Sequence, residues 1–323
     1  ILSGAYFLLG SIAAPWMEPL RNAIPLSALV TGILMLPALG IALVKPCVVG
    51  TTARASKENV RSIGYSIYYT LVNIGGAAGP LVASWVHAYM SVENVFRVAA
   101  LSVFLMLITV LLFFKEPRTA GEAETSTLGQ TARNFLTVVL NFRFMLFLLI
   151  FSGYWIVFWQ EFITLPIYIH DYIDPNANTE LILVTDSLVV ISCQIVVTFL
   201  TKRIPAFRAI ILGTLISALA WLMVASHASV LTAIFSLALV AIGEIIQSPR
   251  YYEYISRLAP SGQQGTYMGF AFLPIGIGSL IAGRFGGKLL HYFGEVTHQP
   301  ERIWWCITAV GVATAGLLWI YDK

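Results

Sequence analysis

Apolar runs long enough to cross a membrane recur along nearly the whole chain, separated by short polar breaks. A spanning helix needs roughly 20 mostly apolar residues. About ten stretches meet that length: 1 to 17, 26 to 50, 62 to 86, 94 to 114, 144 to 168, 180 to 200, 208 to 226, 229 to 253, 265 to 287 and 303 to 321. The one long polar interval runs from Lys115 to about Arg143 and contains Thr119-Ala-Gly-Glu-Ala-Glu-Thr-Ser-Thr-Leu-Gly. Four runs precede it and six follow, which predicts a partial helical bundle over 1–114, a linker over 115–143 and a six-helix bundle over 144–323. The chain opens at Ile1 inside an apolar run, with neither an initiator Met nor the basic flank of a signal peptide, and reads as a fragment.

Composition turns this pattern into an all-α integral membrane protein. Hydrophobic residues make up 58% of the chain and charged residues 11%, against about 25% charge in soluble domains. Lys and Arg cluster in alternate loops: Arg54, Lys57, Arg61, Lys115, Arg118, Arg133, Arg143, Lys202, Arg203, Arg208, Arg257 and Lys323 fall on one side, and only Arg21, Lys288 and Arg302 on the other. By the positive-inside rule both chain ends are expected in the cytoplasm, in a bacterial inner membrane. The net charge of +3 follows from that bias; it suits anionic lipid headgroups and gives no reason to expect nucleic acid. Cys47, Cys193 and Cys306 lie in three separate runs, so neither a disulfide framework nor a zinc site is indicated. His87, His170, His227, His291 and His298 all fall near outer helix ends, where only His291, Glu295 and His298 suggest a cluster, either interfacial or metal- and pH-responsive.

Charges inside the apolar runs carry the candidate chemistry. Lys45 sits in Gly40-Ile-Ala-Leu-Val-Lys45-Pro46-Cys47-Val48 and Glu244 in Gly243-Glu244-Ile-Ile-Gln247-Ser248-Pro249. A charge at mid-membrane costs about 2.5–3.5 kcal/mol on insertion scales and is expected to face a water-filled path or an opposite charge. Lys45 either snorkels to the cytoplasmic interface or pairs with Glu244 in a gate that protonation opens. Ser248 shares a helix face with Glu244. Tyr65, Tyr69 and Asn73 recur every four residues with Tyr68 beside them, a polar-aromatic stripe suited to a small polar ligand or to packing. Trp159, Gln160, Glu161 and Asp186 occupy the outer halves of two consecutive helices, where Arg284 or Arg97 is the expected cationic partner of an acid. Gly75, Gly76, Gly79, Gly276, Gly278, Gly283, Gly286 and Gly287 are read first as close-packing positions.

Three strings together resemble the proton-dependent oligopeptide transporter family of the major facilitator superfamily. The family's K-P-x-V string is matched by Lys45, Pro46, Cys47 and Val48. Its F-Y-x-x-I-N-x-G-S string is resembled by Tyr68, Tyr69, Val72, Asn73, Gly75 and Gly76. Its G-E-x-x-x-S-P string with later A-P and M-G is resembled by Gly243, Glu244, Ser248, Pro249, Ala259, Pro260, Met268 and Gly269. The resemblance implies a two-bundle transporter with about ten of twelve helices present, proton-coupled symport of di- and tripeptides or similar small polar nitrogen compounds, and alternating access by a monomer in the lipid bilayer. It implies a gate role for Lys45 and Glu244 and substrate contacts from Tyr68, Tyr69, Asn73 and Ser248; from their place in the spans, Glu161 and Asp186 are added as gate or proton-coupling candidates and Tyr65, Trp159 and Gln160 as substrate contacts. The proton is the coupling ion, and neither cofactor nor metal is called for.

Departures from the pattern open other readings. Glu161 follows Gln160 where many family members have an acid before it, and Ala271 stands where a tryptophan is frequent. A proton-driven exporter of amphipathic molecules or a non-transporting sensor on the same scaffold keeps the other features. An enzyme is not expected, because no His lies within a run and neither H-E-x-x-H nor G-x-S-x-G occurs.

Overall fold

The computed structural model describes residues 1–57, 60–115, 128–260 and 263–323. Residues 116–127 of the expected linker lie outside them, as does the side chain of His87. The described chain is helical and divides into two compact units, Ile1–Thr51 with Gly75–Thr119, and Thr52–Ile74 with Ala120–Lys323. Residues 52–74 therefore group with the later part of the chain, unlike the division at 114 expected from the sequence.

The first unit contains α1 (Leu2–Gly10), α2 (Glu18–Ala23), most of α3 (Leu26–Ala55), the second half of α4 (Arg61–Tyr89) and α5 (Val92–Phe113). The run 1 to 17 does not form a spanning helix. Its helix stops at Gly10, and a 3-10 turn follows at Pro15–Met17. Ala14 precedes Pro15 and is extended, at φ −67° and ψ 148°, because the proline ring disfavours helical geometry in the residue before it. Arg97 on α5 satisfies the end of α1, its Nε donating to Gly10 O at 2.9 Å. Leu9, Met17, Leu29 and Ile33 form the buried core beside it. Helix α3 runs through both Pro37 and Pro46 without ending, although each proline removes one backbone donor.

In the second unit, α6 (Leu128–Leu140) precedes α7 (Phe142–Phe158), α8 (Gln160–Tyr172), α9 (Thr179–Thr201), α10 (Ala206–Ser226), α11 (Val230–Leu258), α12 (Gln264–Phe270), α13 (Leu273–Leu289) and α14 (Glu301–Asp322). Two expected spans are thus broken: α7 and α8 meet at Trp159, and α12 and α13 meet at Ala271-Phe272 before a π-helical turn over Leu290–Val296. Side chains cap α7, α9 and α11. Asn141 accepts from Phe144 N–H at 3.1 Å and Asn178 from Leu181 N–H at 2.9 Å, while Ser229 and Thr232 form a capping box on α11.

Eight helical stretches among the described residues are long and apolar enough to cross a membrane, against about ten expected. The difference is α1, which is too short, and α4, whose 29 residues suffice in length but carry the Tyr and Asn stripe. Large apolar side chains such as Leu111, Leu112, Phe113, Leu181, Phe199 and Leu200 are exposed, as faces turned to lipid require.

Helix packing in a bilayer relies on small residues and interhelical hydrogen bonds, and α10, α11 and α14 use both. At the α10–α11 crossing, a side chain on Gly243 would meet Gly213 O at 2.6 Å and Ser217 N at 2.8 Å. Ser217 bonds to Val240 O at 3.2 Å, Ser236 to Ala220 O at 2.9 Å and Thr308 to Ala218 O at 3.1 Å. Trp221 stacks on Trp304 at 4.8 Å between ring centroids. On α13, Gly278 admits Trp155 and Gly286 admits Gln160 and Thr164, whereas nothing approaches Gly276, Gly283 or Gly287 within 4 Å.

Gly213→Val is therefore expected to lower the thermal unfolding midpoint in detergent, overpacking of this kind costing about 1–3 kcal/mol. Gly276→Ala, with no neighbour within 4 Å, is expected to leave the midpoint unchanged in the same fluorescence-monitored melt.

Candidate functional site

Three buried carboxyl groups lie within electrostatic reach of one another in the interior of the second unit. Glu244 on α11 is 3% exposed, Asp186 on α9 5% and Glu161 in the first turn of α8 0%. Tyr69, from the first half of α4, donates its hydroxyl to Glu244 Oε1. The remaining acceptors are open: Glu244 Oε2, Asp186 Oδ1 and both Glu161 oxygens are buried without a hydrogen-bond partner. Tyr154 on α7 is 1% exposed, with its hydroxyl near the Gln247 side chain and within electrostatic reach of the three acids.

A polar frame holds this cluster. Gln247 Nε2 donates to Ser248 Oγ at 2.8 Å, one turn along α11 from Glu244. Gln194 Nε2 donates to Thr198 Oγ1 at 3.0 Å, and Thr198 bonds to Ser66 on α4 at 2.9 Å. Tyr65 is fully buried with its ring 5.9 Å from that of Tyr252. Val190, Ala241 and Ile245 form the apolar floor against which Tyr69 packs.

No cation enters the cluster among the described residues. The ion pairs of this unit lie elsewhere: Arg250–Glu253 at 2.8 Å, Arg257–Glu253 at 2.7 Å, His170–Asp171 at 2.7 Å and His291–Glu295 at 2.6 Å. The expectation that Arg284 or Arg97 would partner Glu161 or Asp186 is corrected accordingly. Arg284 is exposed, and Arg97 is held in the first unit by Gly10 O and by Asn94 at 3.2 Å. The two acids instead have each other and Glu244 as neighbours. His298 does not complete a triad with His291 and Glu295; it adopts φ 52° beyond the π turn, and among the described residues no three metal-ligating side chains converge.

Several expected ligand contacts serve the protein itself. Gln160 is fully buried, its Nε2 donating to Ile156 O at 2.9 Å and Ala282 O at 3.2 Å while its Oε1 accepts from Thr164. That side chain ties α8 to α13 and has no group left for a solute. Asn73 turns its amide to Tyr69 O at 3.0 Å on its own helix. Ser248 is buried beside Glu244, Tyr68 is half-buried, and Trp159 stands at the α7–α8 junction with its indole N–H free. Lys45 falls on α3 in the first unit and Glu244 in the second.

Sequence reasoning passed over one arrangement. Arg250, 7% exposed, pairs with Glu253, 4% exposed, and also donates to Thr201 O at 3.0 Å, locking α11 to the end of α9. The spacing Arg250, Glu253, Arg257 is the i, i+3 and i, i+4 pattern of pairs sharing a helix face, and was readable.

A model of the Major Facilitator Superfamily matches residues 1–283. The chain belongs to that superfamily. Among its relatives, the multidrug resistance protein MdtH of Klebsiella pneumoniae is 26% identical over 287 residues, 88% of this chain and 69% of that protein. MdtH of Escherichia coli is 26% identical over 283 residues, 87% and 68% of the two chains. Among solved structures, a POT family transporter in complex with a thioalcohol-conjugated peptide superposes with a TM-score of 0.73 at 16% identity, covering 99% of this chain and 79% of the other. The Escherichia coli fucose:proton symporter gives 0.70 at 14%, covering 98% and 82%. These structures share the fold of the superfamily, and the protein is a secondary transporter embedded in the membrane rather than an enzyme.

Breaking the buried ion pair is expected to destabilise the second unit strongly. Arg250→Met leaves Glu253 under-compensated in the interior, a loss of about 3–5 kcal/mol for such pairs. The double variant Arg250→Met/Glu253→Leu is expected to recover most of that loss, read as thermal midpoints in one detergent.

Proposed function

We propose that this superfamily member is a proton-driven transporter of small organic solutes in a bacterial inner membrane, working by alternating access, with Glu161, Asp186 and Glu244 as the coupling site. The carrying observation is three buried carboxyls within electrostatic reach of one another, with one hydroxyl donor on Glu244 and no cation beside them among the described residues. Taking a carboxylate out of water costs several kcal/mol when no charge compensates it. A proton is the smallest species that removes the charge, and its arrival and departure change what the cluster can hold.

Export of amphipathic molecules is the favoured direction. The named curated relatives are multidrug resistance proteins, whereas the peptide-transporting neighbours match at fold level alone. The amides of Asn73 and Gln160, both expected to touch a peptide, are engaged within the protein. Peptide symport is the second reading, supported by the Lys45-Pro46 and Gly243–Pro249 strings. In it Lys45 and Glu244 form the cytoplasmic gate, and a substrate carboxylate competes for Lys45.

The test is transport by the full-length protein in liposomes with a pH dye enclosed. Under a proton gradient, an uncoupler-sensitive flux of an amphipathic dye is expected, and it is expected to fall at least tenfold in Asp186→Asn and in Glu244→Gln while gradient-free solute exchange persists. Variants that still move protons with solute at the wild-type ratio would remove the cluster from coupling. Uncoupler-sensitive accumulation of labelled dialanine, lost in Lys45→Ala, would instead select the peptide reading.

A further inference from the structure

Arg143 stands in the first turn of the spanning helix α7, exposed and without an ion pair among the described residues. The fold nevertheless fixes its place. Its guanidinium lies 5.6 Å from the centre of the Tyr321 ring, and the Tyr321 hydroxyl donates to Arg143 O at 3.0 Å. The Tyr321 ring stacks on Phe207 at 5.6 Å, and Phe207 meets Tyr254 at 5.0 Å. Asp322, the acid next to Tyr321 on α14, is exposed and makes no ion pair with the guanidinium. A guanidinium laid on an aromatic platform, with its N–H groups still open, is set out for an anion.

The surroundings of Arg143 define that anion. Leu140 and Phe142, on either side of Asn141, are 79% and 77% exposed and continue the lipid-facing wall on which Leu149 also lies. Leu136, Val139 and Leu140 share one exposed face of α6. The other apolar edge of α6 is taken by the protein, with Val138 fully buried and Phe135 packed on Phe270 at 5.1 Å. Arg133, one turn before Leu136, borders the exposed face at one end and Arg143 at the other; Arg133 too has no ion pair among the described residues. Apolar side chains bordered by arginines at the end of a spanning helix match the boundary between acyl chains and phosphates. A free phosphate would meet the arginines and leave Leu140 and Phe142 in water. A zwitterionic headgroup would bring a further cation to an end that already carries Lys202, Arg203 and Arg208.

We propose that the corner between α6 and α7 binds an anionic phospholipid, with its phosphodiester on Arg143 and Arg133 and its acyl chains along Leu140 and Phe142. The corner is tied to the helix that carries Glu244. Asn141 Nδ2 donates to the Tyr267 hydroxyl of α12 at 3.4 Å, and the Tyr267 ring lies 4.8 Å from that of Phe144. Beyond the end of α12, Ala271 O accepts from the Tyr251 hydroxyl of α11 at 2.8 Å, about two helical turns from Glu244. A bound lipid therefore steadies α12 against α11 whichever solute is carried and in whichever direction.

Lipid binding to the purified full-length protein in a non-ionic detergent, followed by native mass spectrometry, tests this with dioleoylphosphatidylglycerol, dioleoylphosphatidylcholine and inorganic phosphate as probes. Saturable binding of the phosphatidylglycerol is expected, about fivefold tighter than that of the phosphatidylcholine, and excess phosphate is expected not to displace it. Arg143→Gln is expected to weaken it about fivefold and Arg143→Lys less, whereas Arg302→Gln, at the opposite end of α14, leaves it unchanged. Phe142→Ser, which keeps both arginines, is expected to weaken both lipids alike and preserve the preference for the anionic headgroup. Melting curves in lipid-free detergent establish that each variant is folded. Equal affinity for the two lipids overturns the proposal, as does unchanged affinity in both Arg143→Gln and Arg133→Gln. Displacement by inorganic phosphate overturns the assignment to a lipid.

Discussion

The absence of water in the bilayer core is the constraint on which this structure depends. Every buried polar group must find a partner within the protein or carry an uncompensated cost. Most of the second unit obeys. Ser217, Ser236 and Thr308 reach carbonyls on neighbouring helices, Gln160 spends its amide on α13 and Thr164, and Arg250 with Glu253 closes the end of α11 against Thr201. Against that background, the open oxygens of Glu161, Asp186 and Glu244 are confined to one place. The same helix, α11, thus carries a compensated acid at 253 and an uncompensated one at 244, nine residues apart. The difference makes Glu253 an ion-pair partner within the fold and leaves Glu244 as the candidate site residue.

Architecture and chemistry are linked through α11, which packs between α9 and α10. Gly213 and Gly243 allow α10 and α11 to approach at backbone distance, which fixes the α11 face that presents Glu244 and Ser248. The junction at Trp159 starts a new helix two residues before Glu161 and places that acid in its first turn. An acid there is favoured by the helix dipole when the turn's N–H groups are free. Here Trp159 N–H already bonds to Trp155 O at 3.1 Å, and Trp159 O accepts from Phe162 and Ile163, so the backbone ladder is largely continuous and offers Glu161 little compensation. Its charge is left to be balanced by something that arrives.

Much of this was legible from residue order because membrane burial imposes a strong code. Uninterrupted apolar length announces spans, and a single Glu in such a span announces a functional position before any fold is known. Glu244 stands out in that way, Glu161 and Asp186 as acids of consecutive helices and Tyr69 from the four-residue recurrence of Tyr65, Tyr69 and Asn73; of these, Tyr69 and Glu244 are joined by a hydrogen bond. Partners were less legible. Charge complementarity suggested arginines for Glu161 and Asp186, yet helix rotation decides which face meets which neighbour, and periodicity within one helix says nothing about rotation against another. For the same reason the backbone carbonyls that the amides of Asn73 and Gln160 reach, one turn away or across a crossing, are not readable from residue type. The run 1 to 17 was misjudged because hydrophobic length alone ignores what Pro15 does to the residue before it.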